Sequence, residues 1–201
     1  MKLYYFPGAC SLAAHIVMRE AGIEPQLIRV DLATHTTADG ADFNTINPRG
    51  YVPVLELPSG EQLSESAAIL QYLADVAPQA ALAPASPGME RYRLQEWLSY
   101  CASELLKTIG PLFNPALHEG TRHGLVQRLT ARLVWADAQL RHRDFVLGDR
   151  FSVADAYLFA VLGMLRIVGL KLADWPALAV HSARVASRPA VQAALRAEGL
   201  V

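Results

Sequence analysis

The chain has 201 residues, and its 18 Lys and Arg against 19 Asp and Glu leave a formal net charge of −1. With basic residues scattered rather than clustered, that balance excludes the electrostatic footprint of a nucleic-acid or anionic-membrane binder. Hydrophobic residues make up 52% and charged residues 18%, enough to bury a core in one large domain or two small ones. Met1-Lys2 is followed by too short an apolar run for a secretory signal. The most apolar stretch, 153–170, carries Asp155 and Arg166, and its uncharged centre is half the length a membrane span needs. Two cysteines, Cys10 and Cys101, make no disulfide framework. A bridge between them stays open, with two reduced thiols in a cytoplasmic protein as the plainer expectation. No Cys/His cluster has metal-ligand spacing, so no metal is expected.

The first third alternates strand-like and helical runs. Residues 2–6 predict a strand stopped by Pro7-Gly8. Residues 9–21 place Leu12, Ala13, Ile16, Val17 and Ala21 on one helical stripe, ended by Gly22. A second strand follows at 27–31, then a polar stretch to Pro48 that predicts a loop with a short irregular helix. Residues 53–57 and 61–63, joined by Pro58-Ser59-Gly60, read as a hairpin. Residues 66–76 return to the helical period. The order β-α-β, connection, β-β-α predicts a small mixed sheet covered by helices. Pro78, Pro84 and Pro87 mark a linker at 78–88, which divides the chain into domains 1–77 and 89–201. Everything beyond is helical in pattern, with runs at 89–106 and 125–140 and short helices near 177–186 and 190–197. Ser152 and Asp155 form a capping box, with Phe151 as a hydrophobic staple, at the start of a helix apolar almost all round.

Three segments carry candidate chemistry. Cys10 lies in Tyr5-Phe6-Pro7-Gly8-Ala9-Cys10-Ser11, between a strand and a helix N-terminus, whose unpaired N–H groups and partial positive charge favour a thiolate. A small buried thiol is the alternative. In Tyr51-Val52-Pro53-Val54, a cis Val52–Pro53 bond would present the Val52 backbone to an extended peptide. A proline that merely opens an edge strand is the other reading. Glu65-Ser66 precedes a helix whose first N–H groups suit a carboxylate, with Glu65 supplying charge for an ammonium, so the pair fits an α-amino-acid end. Ser66 as a simple N-cap is the competing reading. His15 could lie near Cys10 but reads as a partly buried side chain. His118, His123, His142 and His181 fall in predicted loops or helix ends, and Trp97, Trp135 and Trp175 read as core or interface residues.

In order and spacing these motifs resemble a known family. The opening through Cys10-Ser11, the run Asn47-Pro48-Arg49-Gly50-Tyr51-Val52-Pro53-Val54-Leu55, Glu65-Ser66-Ala67-Ala68-Ile69 and Phe151-Ser152-Val153-Ala154-Asp155-Ala156-Tyr157-Leu158 resemble the bacterial, beta-class cytosolic glutathione S-transferases. The resemblance runs to Arg188-Pro189 and Glu198-Gly199-Leu200. It implies an α/β thioredoxin-like N-terminal domain, an all-α C-terminal domain and a homodimer. It further implies glutathione held against Val52, Pro53, Glu65 and Ser66 with its sulfur at Cys10, and Glu104 reaching across the dimer to the partner's ligand. The family often has a lysine at the position of His35, on the glycine carboxylate of glutathione, where histidine is only partly charged. It often has a histidine at the position of Leu106, which cannot transfer a proton. Lys107 lies beside it.

The resulting expectation is a glutathione transferase with Cys10 and Ser11 as catalytic residues and a lowered Cys10 pKa. Glutathione is its cosubstrate and a small apolar electrophile its second substrate, lodged between the domains near Phe6, Phe113 and Met164. Conjugation and thiol–disulfide exchange are both open. The alternative is a protein of the same fold that binds ligands or serves a stress response with little catalysis, favoured by Leu106 and His35. A glutathione-dependent isomerase or dehalogenase is a third option.

Overall fold

Strand β1 (Lys2–Tyr5) buries Leu3, Tyr4 and Tyr5 and forms the centre of a five-stranded sheet in the computed structural model, which describes residues 1–201. Its parallel partner is β2 (Gln26–Asp31), reached through helix α1 (Ser11–Glu20), because a parallel pair needs a crossover. On its other edge β1 pairs antiparallel with β4 (Val54–Glu56), and β4 with β5 (Gln62–Ser64), as the hairpin pattern predicts. Helix α3 (Ser66–Val76) follows. The sheet order is β3-β2-β1-β4-β5, with the two-residue β3 (Thr36–Thr37) antiparallel to β2. This is the expected thioredoxin-like arrangement.

The polar stretch expected to be mostly loop holds β3 as well as the short helix α2 (Phe43–Ile46). Asp42 caps that helix by accepting from the Asn44 N–H at 2.9 Å. Phe43 is fully buried in a cluster with Tyr4, Val30, Val52 and Val54, so one aromatic anchors an otherwise polar segment to the sheet. Helix α1 begins at Ser11 rather than at residue 9, because the Ala9 N–H turns back onto the Phe6 carbonyl.

The chain forms two compact units, Met1–Ala83 with Arg188–Val201, and Pro84–Ser187. The last helix, α9 (Pro189–Ala197), therefore groups with the sheet, whereas the sequence pattern put residues 89–201 together. It packs against α1 through Val191, Ala194 and Leu195, all buried, and Arg188 forks onto Glu20 at 2.6 and 2.8 Å.

In the second unit, α4 (Met89–Ser99) does not continue as one regular helix. Residues Tyr100–Leu106 widen into a π-helical segment before the single turn α5 (Lys107–Ile109). Here the Ser103 and Thr108 hydroxyls donate back to the carbonyls of Ser99 and Glu104, a local competition that a 3.6-residue periodicity cannot reveal. Helix α6 (Glu119–Leu140) starts earlier than its pattern, capped by the His118 ring accepting from the Gly120 N–H. Helices α7 (Val153–Gly163) and α8 (Pro176–Ala186) complete the unit. No helix is long and apolar enough to cross a membrane.

The capping box stands as read, and it does more than cap. Asp155 is fully buried and accepts from the Ser152 N–H and hydroxyl, the Val146 N–H and the His181 ring, each at 2.8 Å. His181 lies inside α8, 1% exposed, not at a helix end. Asp137 on α6 caps the start of α8 through the N–H groups of Ala177 and Leu178. Two carboxylates therefore hold α6, α7 and α8 together. Asp155→Ala leaves four donors without an acceptor and is expected to cost about 3 kcal/mol or more in urea denaturation. Ser152→Ala, which removes one cap hydroxyl, is expected to cost about 1 kcal/mol.

Candidate active site

The loop Phe6–Ala9 turns the chain from β1 into α1, with Gly8 at φ +71°, a conformation costly for a residue with a Cβ. The Gly8 N–H donates to Glu198 Oε2 at 2.9 Å, and the other oxygen of the same carboxylate meets His15 Nδ1 at 2.9 Å. Both side chains are fully buried. Arg19 Nε donates to His15 Nε2 at 3.4 Å, so the His15 proton is on Nδ1 and faces Glu198. His15 is thus a fully buried brace of the loop, not a partly buried bystander. Glu198 was visible only as part of a terminal motif, without a role.

Cys10 occupies the N-cap position of α1 and is partly exposed. Its thiol donates to the Val52 carbonyl at 3.3 Å. The Val52–Pro53 bond is cis, the first of the two readings left open above. The loop before it is held by Asn47, whose side-chain amide donates to the Tyr51 carbonyl at 2.7 Å and whose side-chain oxygen accepts from the Arg49 N–H at 3.3 Å.

Ser11 does not turn its hydroxyl to the sulfur. It is fully buried, and its Oγ accepts from the Phe6 N–H and donates to the Phe6 carbonyl, both at 3.2 Å. The Ser66 hydroxyl, the backbone N–H of Cys10 itself and the Ser11 backbone N–H favour the ionised form of the Cys10 sulfur. Burial outweighs them. It pushes the Cys10 thiol up from its ordinary value, and the negative charge of Glu65 adds to the rise. The lowered value expected from the helix N-terminus is therefore reversed, because enclosure of a charged sulfur outweighs a dipole at the first turn.

Glu65 and Ser66 open α3. Glu65 has φ +72°, its carbonyl accepts from the Ala68 and Ile69 N–H groups at 3.0 Å, and its side chain is exposed. Ser66 is buried at the helix start. His35 also has a positive φ, +53°, and its ring lies on Gly50, where an added Cβ would come within 2.7 Å of the ring. The His35 Nδ1 is enclosed without a hydrogen-bond partner.

The first unit thus gathers Cys10, Val52, Pro53, Glu65 and Ser66 around one sulfur and the turn that leads into β4. In the second unit Glu104 lies on the π-helical segment, and its Oε2 accepts from Arg132 Nε at 2.6 Å. Leu106 is half-buried and Lys107 exposed on the same stretch. Met164 is a buried core residue, whereas Phe113 is 44% exposed. Trp97, Tyr100 and Trp135 form one aromatic cluster, and Trp175 is buried.

Residues 8–76 match the family model of the glutathione S-transferase N-terminal domain, and residues 100–189 that of the C-terminal domain. Over the full length of both chains, the sequence is 43% identical to the glutathione S-transferase GstA of Escherichia coli O157:H7. A sphingomonad glutathione S-transferase solved in complex with glutathione superposes with a TM-score of 0.96 at 47% identity. The beta-class enzyme of Sphingomonas chungbukensis does so with 0.96 at 46% identity, and in both cases all of each chain is covered. The fold, the order of motifs and these likenesses agree: the chain belongs to the glutathione S-transferase family and is similar to members of its bacterial beta class.

Proposed function

We propose that this glutathione S-transferase seats glutathione along Val52, with its γ-glutamyl head at Glu65 and Ser66 and its sulfur beside Cys10. The observation that carries the reading is the Cys10 thiol on the Val52 carbonyl, which puts a sulfur and the backbone of the turn before β4 at one point. The residues suit the tripeptide. An extended peptide pairs with the Val52 backbone beside Pro53 as an added strand does. The start of α3 and the Ser66 hydroxyl receive the γ-glutamyl carboxylate, and the exposed Glu65 carboxylate receives the adjacent ammonium. His35 is left to donate toward the glycine carboxylate through Nε2, because its Nδ1 is enclosed.

In thiol–disulfide exchange, the Cys10 thiolate attacks one sulfur of glutathione disulfide. The disulfide bond breaks, a Cys10–glutathione disulfide forms, and the released glutathione thiolate takes up the proton that Cys10 gave to solvent. In conjugation, the glutathione thiolate forms a bond to a small apolar electrophile, which expels its leaving group or takes up a proton. The Ser66 hydroxyl and the Ser11 N–H supply the donors that stabilise negative sulfur. The Ser11 hydroxyl holds the loop. Family resemblance extends the proposal to a cytoplasmic detoxifying homodimer in which Glu104 of one copy reaches the glutathione of the other.

A second reading, glutathione binding with little turnover, is favoured by the raised Cys10 thiol and by Leu106, which has no proton to transfer. Measured glutathione affinity without conjugation of any of several model electrophiles would select it.

Incubation with glutathione disulfide is expected to give a reducible adduct on Cys10 in intact-mass and peptide mapping, absent in Cys10→Ala. An adduct confined to Cys101 would remove Cys10 from this role. Because a raised pKa keeps the thiol protonated at neutral pH, Cys10 alkylation in the free protein is expected to keep accelerating above the ordinary thiol range. Ser66→Ala removes a donor to the thiolate, raises the pKa further and is expected to slow alkylation at neutral pH several-fold. A rate that levels off below pH 7 would contradict the burial argument.

A further inference from the structure

Arg49 has no role in the readings above, yet its side chain reaches both residues that precede α3. One guanidinium nitrogen, Nη1, donates to Glu65 Oε1 at 3.1 Å, and the other, Nη2, donates to the Ser64 hydroxyl. Its own backbone is tied down by Asn47, which also holds the Tyr51 carbonyl next to Val52. Arg49 therefore links the loop that presents Val52 to the turn that presents Glu65 and Ser66. We propose that Arg49 is a positioning residue of the glutathione site, fixing the Glu65 carboxylate so that its other oxygen meets the ammonium of the γ-glutamyl head.

The geometry gives this its content. Glu65 is exposed, and an exposed carboxylate samples many rotamers unless something holds it. The Arg49 fork holds Oε1 and leaves Oε2 for the ligand's ammonium. A lysine offers one point charge and cannot span Ser64 and Glu65 together.

The inference rests on the seating of glutathione proposed above, and the test separates the two. Steady-state kinetics with glutathione as the varied substrate would compare Arg49→Gln, Arg49→Lys, Glu65→Gln and the Arg49→Gln/Glu65→Gln double variant. The exposed pair is expected to give Arg49→Gln a rise of about two- to fivefold in the glutathione KM, with kcat little changed. Arg49→Lys should fall between it and the parent. The Arg49 effect should vanish in the Glu65→Gln background, a coupling that a merely structural loss would not show. An unchanged KM in Arg49→Gln beside a raised one in Glu65→Gln overturns the role of Arg49 and leaves the seating intact. Additive effects overturn it as well. An unchanged KM in Glu65→Gln overturns both.

Discussion

The buried Glu198 carboxylate, one oxygen on the Gly8 N–H and the other on His15, ties the chain's last residues to the loop that carries Cys10. A carboxylate removed from water persists only where its oxygens are satisfied, and here each has a donor. The cost of breaking either contact is what fixes the loop. With Gly8 held from one side and the Ser11 hydroxyl closing onto Phe6 from the other, Cys10 has one place to go, over the Val52 carbonyl. The sheet supplies the opposite wall, since β4 pairs with β1 in the register Tyr4 to Val54 and so brings the Val52–Pro53 turn level with the end of β1. The position of the sulfur follows from these contacts rather than from any affinity of the thiol itself.

That position carries a chemical consequence. Burial holds the Cys10 thiol in its neutral form, and the Glu65 charge adds to the effect. The Ser66 hydroxyl and the backbone N–H groups of Cys10 and Ser11 work in the opposite direction and stabilise the thiolate once it forms. The site is therefore arranged to support a negative sulfur without maintaining one at rest. Electrostatics beyond the sulfur is set by Glu65, whose charge suits an ammonium but opposes a thiolate nearby, and whose carboxylate is paired with Arg49. The second unit has its own polar frame. Asp155 and Asp137 fasten α6, α7 and α8, while Arg132 holds Glu104 on the π-helical segment.

Much of this was legible in the residues. The strands flanking α1, the hairpin, the capping box of Ser152 and Asp155, and Cys10 at a helix start all follow from local patterns, because period and cap chemistry act over a few residues. Features set by distant partners were not legible. Nothing near His15 announces Glu198, and nothing near Asp155 announces His181. The grouping of α9 with the sheet rests on its packing against α1, far away in sequence. Ser11, adjacent to Cys10, looked like the hydroxyl for the sulfur, yet neighbours at a helix start point in different directions, and Ser66 from another helix takes that place. The Cys10 pKa was misjudged for a related reason: the helix terminus is visible in sequence, whereas enclosure of the sulfur is a property of the folded chain.

The most direct measurement is a crystal structure of the chain soaked with glutathione. The account predicts the peptide extended along Val52, its γ-glutamyl carboxylate at the start of α3 beside Ser66, its ammonium on Glu65, and its sulfur in contact with Cys10. Glutathione bound away from the Val52 edge, or bound there with its sulfur turned from Cys10, would contradict it.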